Sequence, residues 1–378
     1  MSRLKKAFSY VTGLNQETQY LLDTIQAATN KEERKQIEAR VRAGTTTLTP
    51  KTLEVNGDAY IYAHVSDEKE LNKQLQEVAT KESFSSFAKN AHEEITHLIA
   101  PNILGLEAVK EAAALQLFAK ERMHVLLLGD PGTGKTDILR STQELATISS
   151  MGLGSGTSGA GLSLAYSKGE LQKGLLPLAH GGICLIDELN LMKKDDRAAL
   201  YNAMEKGFVT YDKASHHEQI PADVRVLATA NPKGDRFEGE TTQELKQQLP
   251  FEPALLSRFH LVFLVRKPDK KAFMDITKKI VKGDKTTTPD TSYAKKYIKH
   301  AQQLEVNFPA NLEPQVSSAV ERIKEQENNL LIEVSPRLVK GIIGFAKASA
   351  RAQLRTNANR HDVDKAIQLL NKSLELSS

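Results

Sequence analysis

The motif Gly129-Asp130-Pro131-Gly132-Thr133-Gly134-Lys135-Thr136 predicts the fold class of this chain. It matches the phosphate-loop pattern G-x-x-x-x-G-K-[ST] at every position. The apolar run at 125–128 predicts a buried strand before it, and residues 137–140 predict the first turn of a helix after it. In that order, backbone N–H groups and a helix N-terminus surround phosphate oxygens. The alternative, an ordinary glycine-rich turn, is disfavoured by this context.

Two residues at the end of the loop carry its expected chemistry. Lys135 is expected to bridge the β- and γ-phosphates, and the Thr136 hydroxyl is expected to bind Mg²⁺. We therefore predict a nucleoside triphosphate site, with ATP and Mg²⁺ as the cofactors.

A second buried strand ends in two acids. The apolar run at 183–186 precedes Asp187 and Glu188, and this places both carboxylates at the C-terminal edge of a sheet, where ligands bind in open α/β folds. Asp187 is expected in the Mg²⁺ shell, and Glu188 is expected to polarise the attacking water. A solvated sheet edge is the plainer alternative.

A third strand, at 225–230, leads to Asn231, which could sense the γ-phosphate or the water. A turn-forming Asn before Pro232 is the alternative.

Further on, Arg258 lies among apolar neighbours. Such an arginine often only extends its charge to solvent, but oligomeric ATPases need a cation delivered from outside the loop.

Composition bounds the class of protein. The 378 residues are 40% hydrophobic and 26% charged, as expected for a soluble globular protein. The net charge of +4 permits nucleic acid as a partner without arguing for it. The single cysteine, Cys184, excludes an internal disulfide and a Cys-based zinc cluster. No apolar run approaches the ~20 residues that span a bilayer. We expect a cytoplasmic protein without membrane contact.

Three domains are predicted. Residues 1–98 form a small α+β appendage with a hairpin at Asn56-Gly57, residues 99–283 form the nucleotide-binding core, and residues 284–378 form a helical lid. In the lid, Ser335 and Pro336 begin a helix that places Arg337 in its first turn. The fold class is α/β, with a central parallel sheet followed by a small all-α lid.

The chain resembles an AAA+ ATPase in the order of its features: a phosphate loop, an acidic strand, an asparagine, an arginine and a lid with a second arginine. Finer motifs resemble the minichromosome-maintenance (MCM) helicases over about residues 99–370. The segments that carry this resemblance are 99–105, 114–118, 180–188, 196–205, 255–259 and 335–337.

The resemblance implies further residues and partners. Arg258 corresponds to the family's arginine finger, and Arg337 to its lid arginine, which acts across the subunit interface. Residues 210–214, with Lys213 as the DNA contact, match the pore hairpin. Residues 154–166 and Lys168 match the helix-2 insert hairpin. The implied partners are single-stranded or forked DNA and further copies of the chain in a homo-oligomeric ring, expected to be a hexamer.

Some features depart from the family pattern. Gly134 and Thr136 give the generic AAA+ loop, and Glu188-Leu189-Asn190 stands where the family has Glu-Phe-Asp. Residues 1–98 are shorter than the family's N-terminal tier. We therefore expect a motor without the usual zinc and oligonucleotide-binding-fold parts, and without a winged helix after Leu374.

Three hypotheses follow. The first is an ATP-hydrolysing, MCM-like ring motor that acts on DNA as a helicase or translocase. The second is a MoxR-like ATPase that remodels protein complexes, and the third is an accessory protein that binds ATP without translocating. The complete set of loop, acids, asparagine and arginine argues against the third. Lys213 favours DNA over protein, because cations bind a phosphate backbone, although a solvated turn lysine is the plainer interpretation.

Overall fold

The computed structural model describes residues 51–55, 58–62, 84–167, 170–213, 216–234, 236–239, 241–267, 274, 277–278, 291–327, 330–331 and 333–374. For 51–55, 58–62, 165–167, 170–171, 211–213 and 216–217 it describes the backbone alone. The chain divides into two compact units, Met1–Phe87 and Ala88–Ser378. The domain boundaries predicted after residues 98 and 283 stay predictions.

The first unit contains an antiparallel pair of strands. Strand β1 (Lys51–Val55) pairs with β2 (Asp58–Tyr62), with Leu53 opposite Tyr60. The two strands predicted around Asn56-Gly57 are therefore present, while the dipeptide itself lies outside the described residues.

The second unit alternates strands and helices and ends in helices. In chain order its elements are α1 (Ala91–Leu98), α2 (Glu107–Phe118), β3 (His124–Gly129), α3 (Lys135–Leu145), β4 (Ser149–Leu153), α4 (Gly159–Leu162), β5 (Leu164–Ser167), β6 (Glu170–Lys173), α5 (Leu175–Leu178), β7 (Ile183–Asp187), α6 (Ala198–Lys206), β8 (Phe208–Lys213), β9 (His216–Pro221), β10 (Arg225–Ala230), α7 (Thr242–Gln247), α8 (Pro253–Leu256), β11 (Leu261–Val265), α9 (Ser292–Ala301), α10 (Glu313–Glu325), α11 (Pro336–Ala352) and α12 (Arg360–Leu374). Among the described helices, none combines the length and the apolar character that crossing a bilayer requires.

A five-stranded parallel sheet forms the centre of this unit and confirms the predicted fold class. Its strand order is β11-β3-β10-β7-β4. Every residue of β3, β7, β10 and β11 is buried, as expected of apolar strands covered on both faces. Strand β10 lies between the phosphate-loop strand β3 and the acidic strand β7, so residues of the site must reach across it.

Two buried histidines align the start of the phosphate-loop strand. The backbone N–H of His124 donates to Nδ1 of His260 (3.0 Å), and the N–H of Val226 donates to Nδ1 of His124 (3.1 Å). Because a backbone N–H can only donate, both Nδ1 atoms are unprotonated, and Nε2–H of His124 donates to the carbonyl of Met204 (3.1 Å). Burial lowers the pKa of His124 to about 3, so this ring is neutral at physiological pH. The pair holds β3, β10 and β11 together at the end opposite the phosphate loop.

The lid joins the core at the C-terminal end of α2, where the carbonyl groups of residues 117–119 each accept a side-chain hydrogen bond. Gln302 donates to the first (2.7 Å), Arg351 to the second (2.7 Å) and Arg225 to the third. Gln302 and Arg351 belong to the lid, whereas Arg225 begins β10. One helix end therefore fixes both the lid and the strand that leads to Asn231.

Two antiparallel hairpins project from the sheet connections, at the places that the sequence predicted. Strands β8 and β9 pair with Lys213 opposite His216, and residues 214–215 lie outside the described residues. In the other predicted insert, a 3-10 turn at Gly154–Gly156 and helix α4 lead into the β5–β6 hairpin. Lys168, which falls between β5 and β6 in the sequence, is outside the described residues.

Candidate nucleotide-binding site

The phosphate loop joins β3 to α3 and contains all eight residues of the motif. Gly132 (φ +76°) and Gly134 (φ +84°) have left-handed backbones, which favour glycine. A Cβ on Gly134 would also lie 2.8 Å from Cδ1 of Ile103. The loop can therefore turn its peptide groups toward a ligand directly before the N-terminus of α3, where the helix dipole favours an anion.

Lys135 is folded over this loop. Its ammonium group is buried and donates to the carbonyl oxygens of Gly129 (2.8 Å) and Asp130 (2.6 Å). Burial lowers the pKa of Lys135 to about 8, opposed by the charges of Asp130, Asp187 and Glu188. The amine stays mostly protonated at neutral pH and provides a cation beside the loop.

Asp130 supports the loop from within. Its carboxylate accepts hydrogen bonds from the backbone N–H groups of Phe237 (3.0 Å) and Lys267 (3.1 Å), and the residue is buried. These two N–H groups belong to the segments that follow β10 and β11, so Asp130 ties the loop to the connections after both neighbouring strands. The prediction that Asp130 contacts nucleotide stays a prediction.

The two expected metal ligands are in direct contact. The Thr136 hydroxyl donates to Oδ2 of Asp187 (2.9 Å), and the Thr229 hydroxyl donates to Oδ1 of the same carboxylate (2.5 Å). A hydroxyl oxygen and a carboxylate oxygen side by side are the hard ligands that Mg²⁺ prefers. The residues present fit this ion.

Glu188 has an unusual backbone. Its φ of +53° and ψ of +46° are left-handed, which is uncommon for a residue with a side chain. Its N–H donates to the Thr229 hydroxyl (2.9 Å), and its carbonyl oxygen would lie 2.1 Å from a Cβ placed on Gly154. Residues 188–190, which we call the acidic turn, are therefore held from β10 on one side and from the loop after β4 on the other.

Asn231 directly follows β10, and its backbone is held by the acidic turn. Its N–H donates to Oδ1 of Asn190 (3.0 Å). The structure therefore brings together Thr136, Asp187, Glu188 and Asn231 at the C-terminal edge of the sheet. Their individual functions stay predictions.

The two predicted arginines lie together, but apart from these residues. Arg258 donates to Oε2 of Glu205 (3.1 Å) and its guanidinium lies 4.7 Å from the centre of the Tyr201 ring. Arg337 donates to the carbonyl of Ser257 (2.6 Å). The pKa of Arg337 is lowered, mainly by burial and to a smaller extent by the positive charge of Arg258. In the described part of the chain, no hydrogen bond or ion pair joins either arginine to the phosphate loop.

Lys213, the predicted DNA contact, is the last residue of β8. Strand β9 begins at His216, and the side chain of Lys213 is outside the described part. The structure thus gives its position in the chain path only.

Three features of the site were not predicted from the sequence: Thr229, Glu205 and the hydrogen bond made by Asn190. Thr229 is the only hydroxyl residue in the buried run Val226-Leu227-Ala228-Thr229-Ala230, a signal that could have been noticed. The position of Glu205 had no such signal, because its contact with Arg258 joins residues far apart in the sequence.

Two family models match this chain. The MCM P-loop domain matches residues 80–283, and the MCM AAA-lid domain matches residues 292–374. The matched segments contain every predicted site residue.

Curated relatives match at similar levels. The minichromosome maintenance protein MCM of Saccharolobus solfataricus is 31% identical over 350 residues, covering 83% of this chain and 50% of that protein. The DNA replication licensing factor MCM7 of Arabidopsis thaliana is 30% identical, covering 75% of this chain and 43% of that protein. The licensing factor mcm7-B of Xenopus laevis is 32% identical, covering 79% and 45%. The chain spans about half the length of these relatives.

The packing against Glu188 predicts different effects for two glycines of one loop. Neither Gly154 nor Gly156 has a left-handed backbone, and a Cβ on Gly156 would meet nothing within 4 Å. Gly154→Ala should lower the free energy of unfolding by about 1–3 kcal/mol because its Cβ would overlap the Glu188 carbonyl. Gly156→Ala, the control, should change it by no more than about 0.5 kcal/mol. Urea denaturation measures both, and equal values would contradict the close contact at Gly154.

Proposed function

This chain belongs to the MCM family, and we propose that it is an ATP-hydrolysing motor that assembles as a ring and acts on DNA. The observation that carries the proposal is the hydrogen bond between the Thr136 hydroxyl and Asp187. It joins the end of the phosphate loop to the acidic strand across β10, so that groups able to bind phosphate and metal lie beside Glu188.

The proposed division of labour follows from these positions. Lys135 and the loop N–H groups bind the β- and γ-phosphates, and Thr136 and Asp187 hold Mg²⁺. When bound, Mg²⁺ would neutralise charge on the phosphate oxygens. Glu188 accepts a proton from the attacking water, and the Asn231 amide orients the water or the γ-phosphate.

The rival hypothesis, a MoxR-like remodeller of protein complexes, is disfavoured. Both MCM models match, one on the P-loop domain and one on the lid, and together they cover most of the chain. The Lys213→Ala experiment decides whether the ring binds DNA.

Two substitutions should separate nucleotide binding from hydrolysis. Lys135→Ala removes the buried cation beside the loop, so it should abolish binding of a fluorescent ATP analogue. Glu188→Gln keeps the loop and the metal ligands, so it should bind the analogue normally but hydrolyse ATP at least about 100-fold more slowly.

Glu144→Gln, an exposed change on α3, is the matched control and should behave like the unaltered protein. Phosphate release and analogue titration measure the two properties. An unaltered protein that binds no nucleotide would refute the proposed function, and normal turnover by Glu188→Gln would remove that carboxylate from the mechanism.

We also propose that Arg258 and Arg337 complete the site of a neighbouring subunit. In support, Arg258 contacts Glu205 and Tyr201, and Arg337 donates to the Ser257 carbonyl. Neither arginine has a described contact with its own phosphate loop. A cation supplied in trans by an arginine accelerates phosphoryl transfer by about 10³–10⁵.

Mixing two inactive variants tests this sharing. Lys135→Ala and Arg258→Ala should each lack ATPase activity when alone. In a random one-to-one mixture, about a quarter of the ring interfaces combine an intact loop with an intact arginine, so activity should reappear. A mixture as inactive as its components, at every ratio, would contradict a shared site.

The β8–β9 hairpin is the proposed DNA-binding element. Helix α6, which follows the acidic strand, leads into β8, and β9 leads into β10 and Asn231. Through these connections the hairpin is anchored on two parts of the nucleotide site. Movement at the γ-phosphate could thus be passed to Lys213 by one stiff element.

Lys213→Ala should leave ATPase activity without DNA near that of the unaltered protein and remove one phosphate contact. The slope of log K against log salt for single-stranded DNA should then shrink by ~1, and stimulation of ATPase by DNA should be lost. Lys296→Ala, an exposed change on α9, is the control and should leave both unchanged. A Lys213→Ala protein with the original slope and full stimulation would reject this residue as a DNA contact.

A further inference from the structure

Two hydrogen bonds run in opposite directions between the acidic turn and the end of β10. The backbone N–H of Glu188 donates to the side chain of Thr229 (2.9 Å), and the backbone N–H of Asn231 donates to the side chain of Asn190 (3.0 Å). Each segment therefore offers one main-chain donor and one side-chain acceptor to the other. We name these four residues the reciprocal clasp.

The clasp holds a backbone that needs support. The left-handed conformation of Glu188 is sparsely populated by residues with side chains, and it persists where surrounding contacts fix it. The Thr229 hydroxyl binds the N–H of that same residue, while Gly154 packs against its carbonyl. Both peptide groups of Glu188 are thus restrained.

Thr229 connects the clasp to the metal ligand. Its hydroxyl proton is directed to Oδ1 of Asp187 (2.5 Å), so an oxygen lone pair is left for the Glu188 N–H. The other carboxylate oxygen of Asp187 accepts from Thr136. Because Thr229 is only 1% exposed, solvent does not compete for these bonds. One buried hydroxyl orients Asp187 and the main chain of Glu188 together.

We propose that Thr229 and Asn190 are positioning residues of the ATPase site. They fix the acidic turn relative to Asn231, so the group that activates water and the group that senses phosphate keep one separation through the reaction. In the described part of the chain, neither side chain has a hydrogen bond to the phosphate loop. Their loss should therefore slow hydrolysis and leave nucleotide affinity intact. This inference rests on the proposed ATPase function.

The chemistry of the clasp predicts which replacements are tolerated. The side chain at position 229 must both donate and accept a hydrogen bond, so Ser can replace Thr, whereas the isosteric Val cannot. Position 190 needs only an acceptor for a backbone N–H, so Asp can replace Asn and Leu cannot. This also accounts for an amide at a position where the resemblance expects a carboxylate.

Steady-state kinetics on the full chain tests the proposal. Thr229→Val and Asn190→Leu should each lower kcat by about 10- to 100-fold, with KM and the affinity for a fluorescent ATP analogue changed by less than about threefold. Thr229→Ser and Asn190→Asp should keep kcat within about threefold of the original. Because both bonds act on the same two segments, the double variant Thr229→Val/Asn190→Leu should lose less than the product of the single effects.

Thr142→Val is the matched control. Thr142 is also a fully buried threonine, and its hydroxyl donates to the carbonyl of Ile138 (2.7 Å) within α3. Its loss should reduce stability without lowering kcat more than about twofold. If Thr142→Val and Thr229→Val lower kcat equally, the effect is general destabilisation and the proposal is overturned.

Amide hydrogen exchange separates failure of the clasp from failure of the proposed function. Exchange at the Glu188 amide should accelerate in Thr229→Val, and exchange at the Asn231 amide should accelerate in Asn190→Leu. Faster exchange with unchanged kcat would overturn the positioning proposal while leaving the ATPase function standing. If the unaltered protein hydrolyses no ATP, the proposed function fails, and exchange still tests the bonds. If Thr229→Val does not fold, Asn190→Leu against Asn190→Asp decides the outcome.

Discussion

The hydrogen bond between Thr136 and Asp187 is the contact on which the site depends, because it spans a strand that lies between its two partners. Neighbouring strands are about 4.8 Å apart, so β3 and β7 are separated by roughly twice that distance. The contact forms only if α3 begins above β10 and the strand ends are level. Two groups maintain that alignment: the histidine pair at the N-terminal ends of the strands and the Asp130 carboxylate at their C-terminal ends.

The cations predicted for the site lie in two separate places. Lys135 provides a buried cation at the phosphate loop, whereas Arg258 and Arg337 form a second cationic group beside Glu205. Arg258 is held by an ion pair and a ring contact, so it is ordered before any anion arrives. An arginine that is already ordered loses less conformational freedom on binding phosphate. The proposed sharing of a site between subunits would use an arginine of this kind.

Much of the site could be predicted from sequence because its parts are continuous. The glycine loop, the apolar strands and the polar residue that ends each strand are local patterns, and the parallel sheet follows from their alternation. The strand order is not local. Thr229 contacts Asp187 and Glu188 only because β10 is next to β7. The sequence of either strand does not indicate which strand will be its neighbour. The pairing of Glu205 with Arg258 escaped prediction for the same reason. The side chain of Lys213 lies outside the described part, so its function stays a prediction.

The hydrogen bonds at the end of helix α2 constrain the sequence at distant positions more than at the helix end. Residues 117–119 contribute carbonyl oxygens to the joint between lid and core, and any amino acid supplies a carbonyl oxygen. A substitution there leaves the acceptors in place, whereas an insertion or deletion would move all three at once. The chemical requirement falls on Arg225, Gln302 and Arg351, which are distant from one another in the sequence. Loss of these three hydrogen bonds would therefore be recognised by paired changes at those distant positions or by an altered spacing before β3. Changes of the buried Leu117 and Phe118 side chains would instead report on packing.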